Sequence, residues 1–232
     1  MVRADGRAPT DMRPVTITPG VNPYAEGSAL CRFGRTEVMC TASVEQGAPR
    51  WMTAEGDPRG WVTAEYAMLP RSTHTRTGRK SNQGGRAREI SRLVGRSLRA
   101  AADLERLAGY TIKIDCDVLV ADGGTRTAAI SGGWVALALA LKGLGRHPAM
   151  ELAAVSVGRV DGQLLTDLCY VEDSAAELDM NLVMAPGGHL VEVQATGERG
   201  TFTSDELADL LAMGAQAAEQ IFAAQRGALK VN

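Results

Sequence analysis

Apolar and polar positions alternate through the first third of the chain. The alternation predicts three consecutive strands, "PVTITPG", "GSALCRFG" and "TEVMCTASVE", with turns marked by Gly20, Gly34 and Pro49. "WVTAEYAML" continues the period of two. From Arg71 to Asn82, "RSTHTRTGRKSN" holds no aliphatic residue and no Phe, Tyr or Trp, so it has nothing to bury and is expected to be a mobile loop. The period then becomes helical. Ile90, Leu93, Val94, Leu98, Ala101 and Leu104 form a stripe in "REISRLVGRSLRAAADLERL", with arginines on its other side. A long strand follows in "YTIKIDCDVLVADGG", placing Ile112, Ile114, Cys116 and Val118 on one face and Lys113, Asp115 and Asp117 on the other.

A second helix, from about Thr127 to Leu144, is small and apolar all round and needs burial on most sides. "AAVSVGRVDGQLLTDLCYVED" reads as a hairpin about Asp161 and Gly162, and another strand pair surrounds Gly187 and Gly188. Thr203 and Glu206 form a capping box before a last helix whose stripe includes Leu207, Leu210, Leu211, Ala218, Ile221 and Phe222. Strand clusters punctuated by helices recur in both halves. The expectation is an α/β (α+β) protein with mixed sheets and helices: one domain over residues 1–232, made of duplicated units dividing near residue 145.

A chain of 232 residues that is 45% hydrophobic can bury a substantial core. The opening "MVRADGRAPTD" has no apolar signal core and runs such as "WVALALAL" are too short to cross a bilayer, so a soluble cytoplasmic protein with no membrane partner is expected. Cys31, Cys40, Cys116 and Cys169 lie singly in apolar segments, without the spacing of a zinc or redox site, and are expected to be buried free thiols. The net charge of -2 conceals an asymmetry. Residues 1–150 carry 21 Lys plus Arg against 14 Asp plus Glu, a net of +7, and the remaining 82 carry 4 against 13, a net of -9. Arg71 to Arg99 alone holds eight arginines and Lys80 against Glu89, a patch suited to a polyanion.

Candidate chemistry concentrates at two glycine junctions. Gly84 and Gly85 lead into Arg86, while Gly123 and Gly124 lead into Thr125 and Arg126. A cation at a helix N-terminus faces the positive end of the helix dipole and is disfavoured unless an anion shares the site. Tight turns, free N–H groups and planar guanidinium forks together suit a phosphate. Neither segment matches a Walker loop or a dinucleotide fingerprint. In "YVEDSAAELDMNL", Asp173 and Asp179 stand six apart. Either they converge on a hard cation such as magnesium, or one caps the "SAAEL" turn and the other sits on a surface strand; spacing alone favours the second.

Six blocks, "RADGRAPTDMRPVTITPG", "TASVEQGAPRW", "GWVTAEYAMLPRSTHTR", "GRAREISRLVGRSLRA", "DCDVLVADGGTRTAAISGGWVAL" and "DLCYVEDSAAELDMNLV", together and in order resemble the bacterial ribonuclease PH family along essentially the whole chain. The resemblance implies the ribonuclease PH fold of duplicated βαβα units and a phosphorolytic 3′-to-5′ exoribonuclease. Such an enzyme trims transfer RNA precursors with inorganic phosphate as co-substrate, releasing nucleoside diphosphates reversibly. It also implies that Arg86, Gly124, Thr125 and Arg126 bind phosphate and that Asp173 and Asp179 bind a divalent metal, Mg2+ in expectation, with Asp179 alternatively a proton shuttle. Arg86, Arg126, Asp173 and Asp179 are thereby the expected catalytic residues, in a homohexamer arranged as a trimer of dimers.

With aromatic residues only 4% of the chain, RNA is expected to be held mainly through its backbone, by Arg71, Arg76, Arg79 and Lys80. Departures from the family pattern fall at Ala67, at Ala87 and Arg88, and in "QATGE" from Gln194 to Glu198; they bear on loop shape and RNA preference. Two other readings remain open: a catalytically inactive RNA-binding ring subunit of the exosome type, and a small-molecule phosphorylase or kinase sharing the general fold.

Overall fold

The computed structural model describes residue 3 and residues 5–230, without the side chains of residues 81 and 83. Met1, Val2 and Ala4, from the stretch read as lacking a signal core, lie outside the described residues, as do Val231 and Asn232. The first half forms a five-stranded sheet from β1 (Val15–Pro19), β2 (Gly27–Phe33), β3 (Thr36–Gln46), β4 (Trp61–Met68) and β5 (Tyr110–Val120), in the order β1-β2-β3-β5-β4. The strands pair antiparallel except β4 and β5, which are parallel and are joined through α2 (Gly85–Ala100). Such a pair needs a crossover, and the amphipathic stripe of α2 supplies it while covering β4.

The second half forms an antiparallel sheet from β6 (Ala153–Val160), β7 (Gln163–Thr166), β8 (Leu178–Ala185) and β9 (His189–Gly197), in the order β7-β6-β8-β9. Between the sheets runs α3 (Thr125–Gly143), which meets β2, β3 and β5 on one side and β6 on the other. Contact on both sides explains an apolar composition without a polar face: Ile130, Trp134, Leu137 and Leu141 are all buried. One continuous core therefore spans the two sheets. The final helix α5 (Ser204–Lys230) packs on β6 and β1. Its capping box is present: Thr203 N–H donates to Glu206 Oε2 at 2.8 Å and Glu206 N–H to Thr203 Oγ1 at 3.1 Å. Mixed sheets with helices agree with the expected fold class, and the two halves differ in strand order.

One local expectation needs correction and one short helix is additional. Arg71 to Asn82 is a largely exposed loop, as expected, and it makes polar contacts: Ala121 N–H donates to Ser72 O at 2.8 Å, Thr77 N–H to Pro70 O at 2.9 Å, and the Asn82 amide bridges the Met68 N–H and C=O. A 3-10 turn over Arg79–Gln83 completes the segment. "YVED", read as the end of a hairpin, forms with the first two residues of the "SAAEL" turn the short helix α4 (Tyr170–Ala175), beside a small cluster of Val160, Leu165, Leu168 and Ala176. A further short helix, α1 (Arg50–Glu55), starts after Pro49 and buries Met52. The four cysteines are free and buried, as expected.

Candidate functional site

The turn before α3 is left-handed twice over, with φ of +76° at Gly123 and +64° at Gly124, a region costly for any residue with a Cβ. It also packs tightly. A Cβ on Gly123 would lie 2.4 Å from Leu168 O and 2.7 Å from the carbonyl carbon of Cys169, so this turn sits directly on the chain entering α4. The junction before α2 is built differently. Gly84 is extended (φ -73°, ψ 168°) and Gly85 is already helical, so the tight turn expected there is absent: the chain enters α2 from the 3-10 turn through backbone that other residues also adopt.

Both junctions open onto one pocket of about 1090 Å³, lined by Arg86, Gly124, Thr125 and Arg126 together with Asp173 and Asp179. The first four come from the helix starts of the N-terminal half, and the carboxylates come from α4 and β8 of the C-terminal half. Arg126 Nε is shielded from solvent and donates to no acceptor among the described residues, so a fixed donor lacks its partner where an oxyanion would fit. Tyr66 braces the turn by donating from its hydroxyl to Thr125 Oγ1 at 2.8 Å. Burial raises the tyrosine's pKa, while that bond and the guanidinium groups of Arg86 and Arg126 pull it down. Both cations thus bear on one place.

The opposite wall is anionic. Burial pushes the Asp179 carboxyl up to about 6, its neighbour Asp173 and then Glu198 add to the rise, and Arg126 opposes it. Asp173 is raised as well, by burial first, with Arg86 and Arg126 pulling the other way. Two hard oxygen donors whose charges crowd each other fit a divalent cation of the magnesium type. Among the described residues no third His, Cys, Asp or Glu completes a ready-made metal cluster, so water or substrate oxygens would have to fill such a shell.

Behind the pocket, the N-terminal segment ties the two walls together. Arg13, itself buried, donates from Nε to Asp167 Oδ2 at 2.8 Å and from Nη2 to Asp167 Oδ1 at 2.7 Å, and its Nη1 donates to the carbonyl of Asp122. Thr36 Oγ1 donates to Gly123 O at 2.7 Å, fixing the same turn from the sheet side. Arg3 makes a two-point contact with Glu172, at 2.7 and 2.8 Å, and Cys169 N–H donates to that carboxylate. Burial works against ionisation of Glu172, but Arg3 and the Cys169 N–H hold its pKa below the usual range. Asp173 follows immediately in the chain, so Arg3 and Arg13 together link the turn of Gly123 to the helix carrying a pocket carboxylate.

Of the residues expected to hold RNA, Arg71, Arg76, Arg79 and Lys80 are all exposed, and none lines the pocket. Their loop still borders it, through Thr73, His74 and Thr75. Asn181, Glu198 and Arg199 line the pocket without having been singled out individually, as does Glu89, named above only as the lone acid of the basic patch, and Gln194, Thr196 and Glu198 place the "QATGE" stretch inside it. The only sequence signal for that stretch is its departure from the family pattern; β9 carries no motif.

Comparison with known proteins matches residues 11–142 to the model of the RNase PH, 3′ exoribonuclease family, domain 1, and residues 152–217 to its domain 2. Among solved structures, rice (Oryza sativa) Rrp46 superposes with a TM-score of 0.82 at 22% identity, covering 97% of this chain and 98% of that one. An Archaeoglobus fulgidus exosome with RNA bound to the active site gives 0.81 at 22% identity, over 94% and 91% of the two chains. An archaeal exosome core gives 0.78 at 22%, over 94% and 89%. At this identity the similarity is one of fold.

Proposed function

The chain belongs to the RNase PH, 3′ exoribonuclease family, and from that premise we propose that it is a phosphorolytic 3′-to-5′ exoribonuclease that trims the 3′ ends of transfer RNA precursors in the cytoplasm. The observation that carries this reading is the pocket itself: two guanidinium groups, one with a shielded Nε that has no partner among the described residues, share it with a pair of carboxylates. In this reading Arg86, Arg126 and the N–H groups near Thr125 hold inorganic phosphate against the last phosphodiester. Phosphate is already ionised near neutrality, so the site needs positioning and charge neutralisation more than a strong base. A phosphate oxygen attacks the scissile phosphorus, the bond to the 3′ oxygen of the preceding ribose breaks, and a nucleoside diphosphate leaves. Asp173 and Asp179 would hold a divalent ion, which when bound neutralises charge on the scissile phosphate and the leaving oxygen. A homohexamer, built as a trimer of dimers, is part of the proposal.

The exosome subunits among the structural relatives favour a second reading, an RNA-binding ring subunit of the exosome type without catalysis of its own. One assay separates the two. A precursor RNA with a 3′ extension is incubated with and without inorganic phosphate, and products are resolved by chromatography. Nucleoside diphosphates formed only with phosphate support the enzyme, monophosphates indicate hydrolysis, and tight RNA binding without products supports the ring subunit.

A further inference from the structure

Of the described residues lining the pocket only two carry rings, and phosphorolysis as derived above gives neither a task. His74 comes from the loop after β4 and Tyr170 is the first residue of α4; their ring centroids lie 6.1 Å apart with planes inclined at 57°. Tyr170 is 51% exposed, so its ring is not spent on packing the core, where a tyrosine ordinarily buries most of its area. The position matters as much as the exposure. Tyr170 and Asp173 stand three apart on α4, hence on one face and about 4.5 Å apart along the axis. A nucleotide whose phosphate is held near Asp173 therefore brings its base towards the tyrosine.

We propose that Tyr170, with His74 beside it, is the stacking platform for the 3′-terminal nucleobase of the RNA, so that the nucleotide being removed is gripped by its base as well as by its phosphate. This rests on the phosphorolytic reading. Every base has a π-face, so such a platform accepts any terminal nucleotide, as an exonuclease advancing one residue at a time requires. A single base stacked at the mouth is also compatible with a chain so poor in aromatic residues, because the rest of the RNA is left to backbone contacts.

The test uses the full-length protein, inorganic phosphate and two RNAs identical except that one has an abasic 3′-terminal nucleotide. The native chain is expected to show a KM for the abasic RNA about tenfold higher. Tyr170→Ala should raise KM for the natural RNA by about the same factor and treat both RNAs alike, leaving the KM for phosphate in place; Tyr170→Phe should behave as the native chain, and His74→Ala should lie between. Tyr170→Ala that still distinguishes the two RNAs overturns the proposal. Should the native protein release no diphosphates at all, the phosphorolytic reading fails instead. Equilibrium binding of the same two fluorescent RNAs then decides whether Tyr170 senses the terminal base.

Discussion

Arg126 and Asp179 carry opposite burdens in the folded chain. Among the described residues Arg126 Nε has no acceptor, and an oxyanion would supply one, so Arg126→Ala and Arg86→Ala should each lose at least 100-fold in phosphate-dependent trimming, with the light-scattering mass unchanged from that of the native protein. Asp179 is strained by its own ionisation. Its pKa rises to about 6 in the fold from an ordinary value of 3.8, so the folded chain binds the extra proton more tightly than the unfolded one. Stability is therefore lost as pH rises from about 4 through 6 and stays lost above. Asp179→Asn should restore roughly 1–3 kcal/mol at pH 7 in chelator, a few degrees in thermal midpoint, with no gain below pH 4, while trimming falls 100-fold or more. Arg86 and Arg126 were legible because arginine beside glycine at a helix start contradicts the helix dipole, whereas Asp173 and Asp179 were singled out only by the family resemblance, their spacing alone favouring a cap and a surface strand. Glu198 was not legible, since an exposed acid in the turn after β9 contradicts nothing.

At the scale of elements, the two glycine junctions look alike in sequence and differ in structure. Gly123 has positive φ and a backbone carbonyl 2.4 Å from where a Cβ would be, whereas a Cβ on Gly85 would meet nothing within 4 Å. Gly123→Ala is expected to cost upward of about 3 kcal/mol in urea unfolding and to abolish activity. Gly85→Ala should stay within about 1 kcal/mol of neutral and keep its activity. Periodicity revealed β1 to β5, α2 and α5, whose patterns repeat over enough residues to be read, while the turns at Asp161-Gly162 and Gly187-Gly188 marked the strands of the second half and an apolar composition without a polar face marked α3. It missed α4, whose six residues are too few to establish a helical period and whose place is fixed by Arg3, Glu172 and the small cluster below. The loop from Arg71 was legible from its lack of apolar residues, while the amide and carbonyl contacts it makes are not weighed by composition.

Over the whole molecule, charge is divided by task. The exposed cations of Arg71, Arg76, Arg79 and Lys80 lie beside the pocket and not in it, so their contribution to RNA binding should be electrostatic and general. Replacing Arg76 and Arg79 by alanine should weaken binding to all sequences alike, with the log–log salt dependence of affinity shallower by about 0.7 per cation removed. Titrations with labelled RNA across salt concentrations would check this, and the KM for phosphate should not move. That α3 is buried on most sides was readable from its apolar composition; that the two sheets are what bury it was not. That the pocket draws one wall from each sheet was not, because it depends on long-range packing. The arginines reaching back from the start of the chain bear on truncation. A shortened variant beginning at Met12 would retain each side chain that faces the pocket, yet would lack Arg3 and Arg7, leaving Glu172 and Asp167 with buried charge no longer fully compensated. Shaving an end that looks dispensable would disable the protein from a distance.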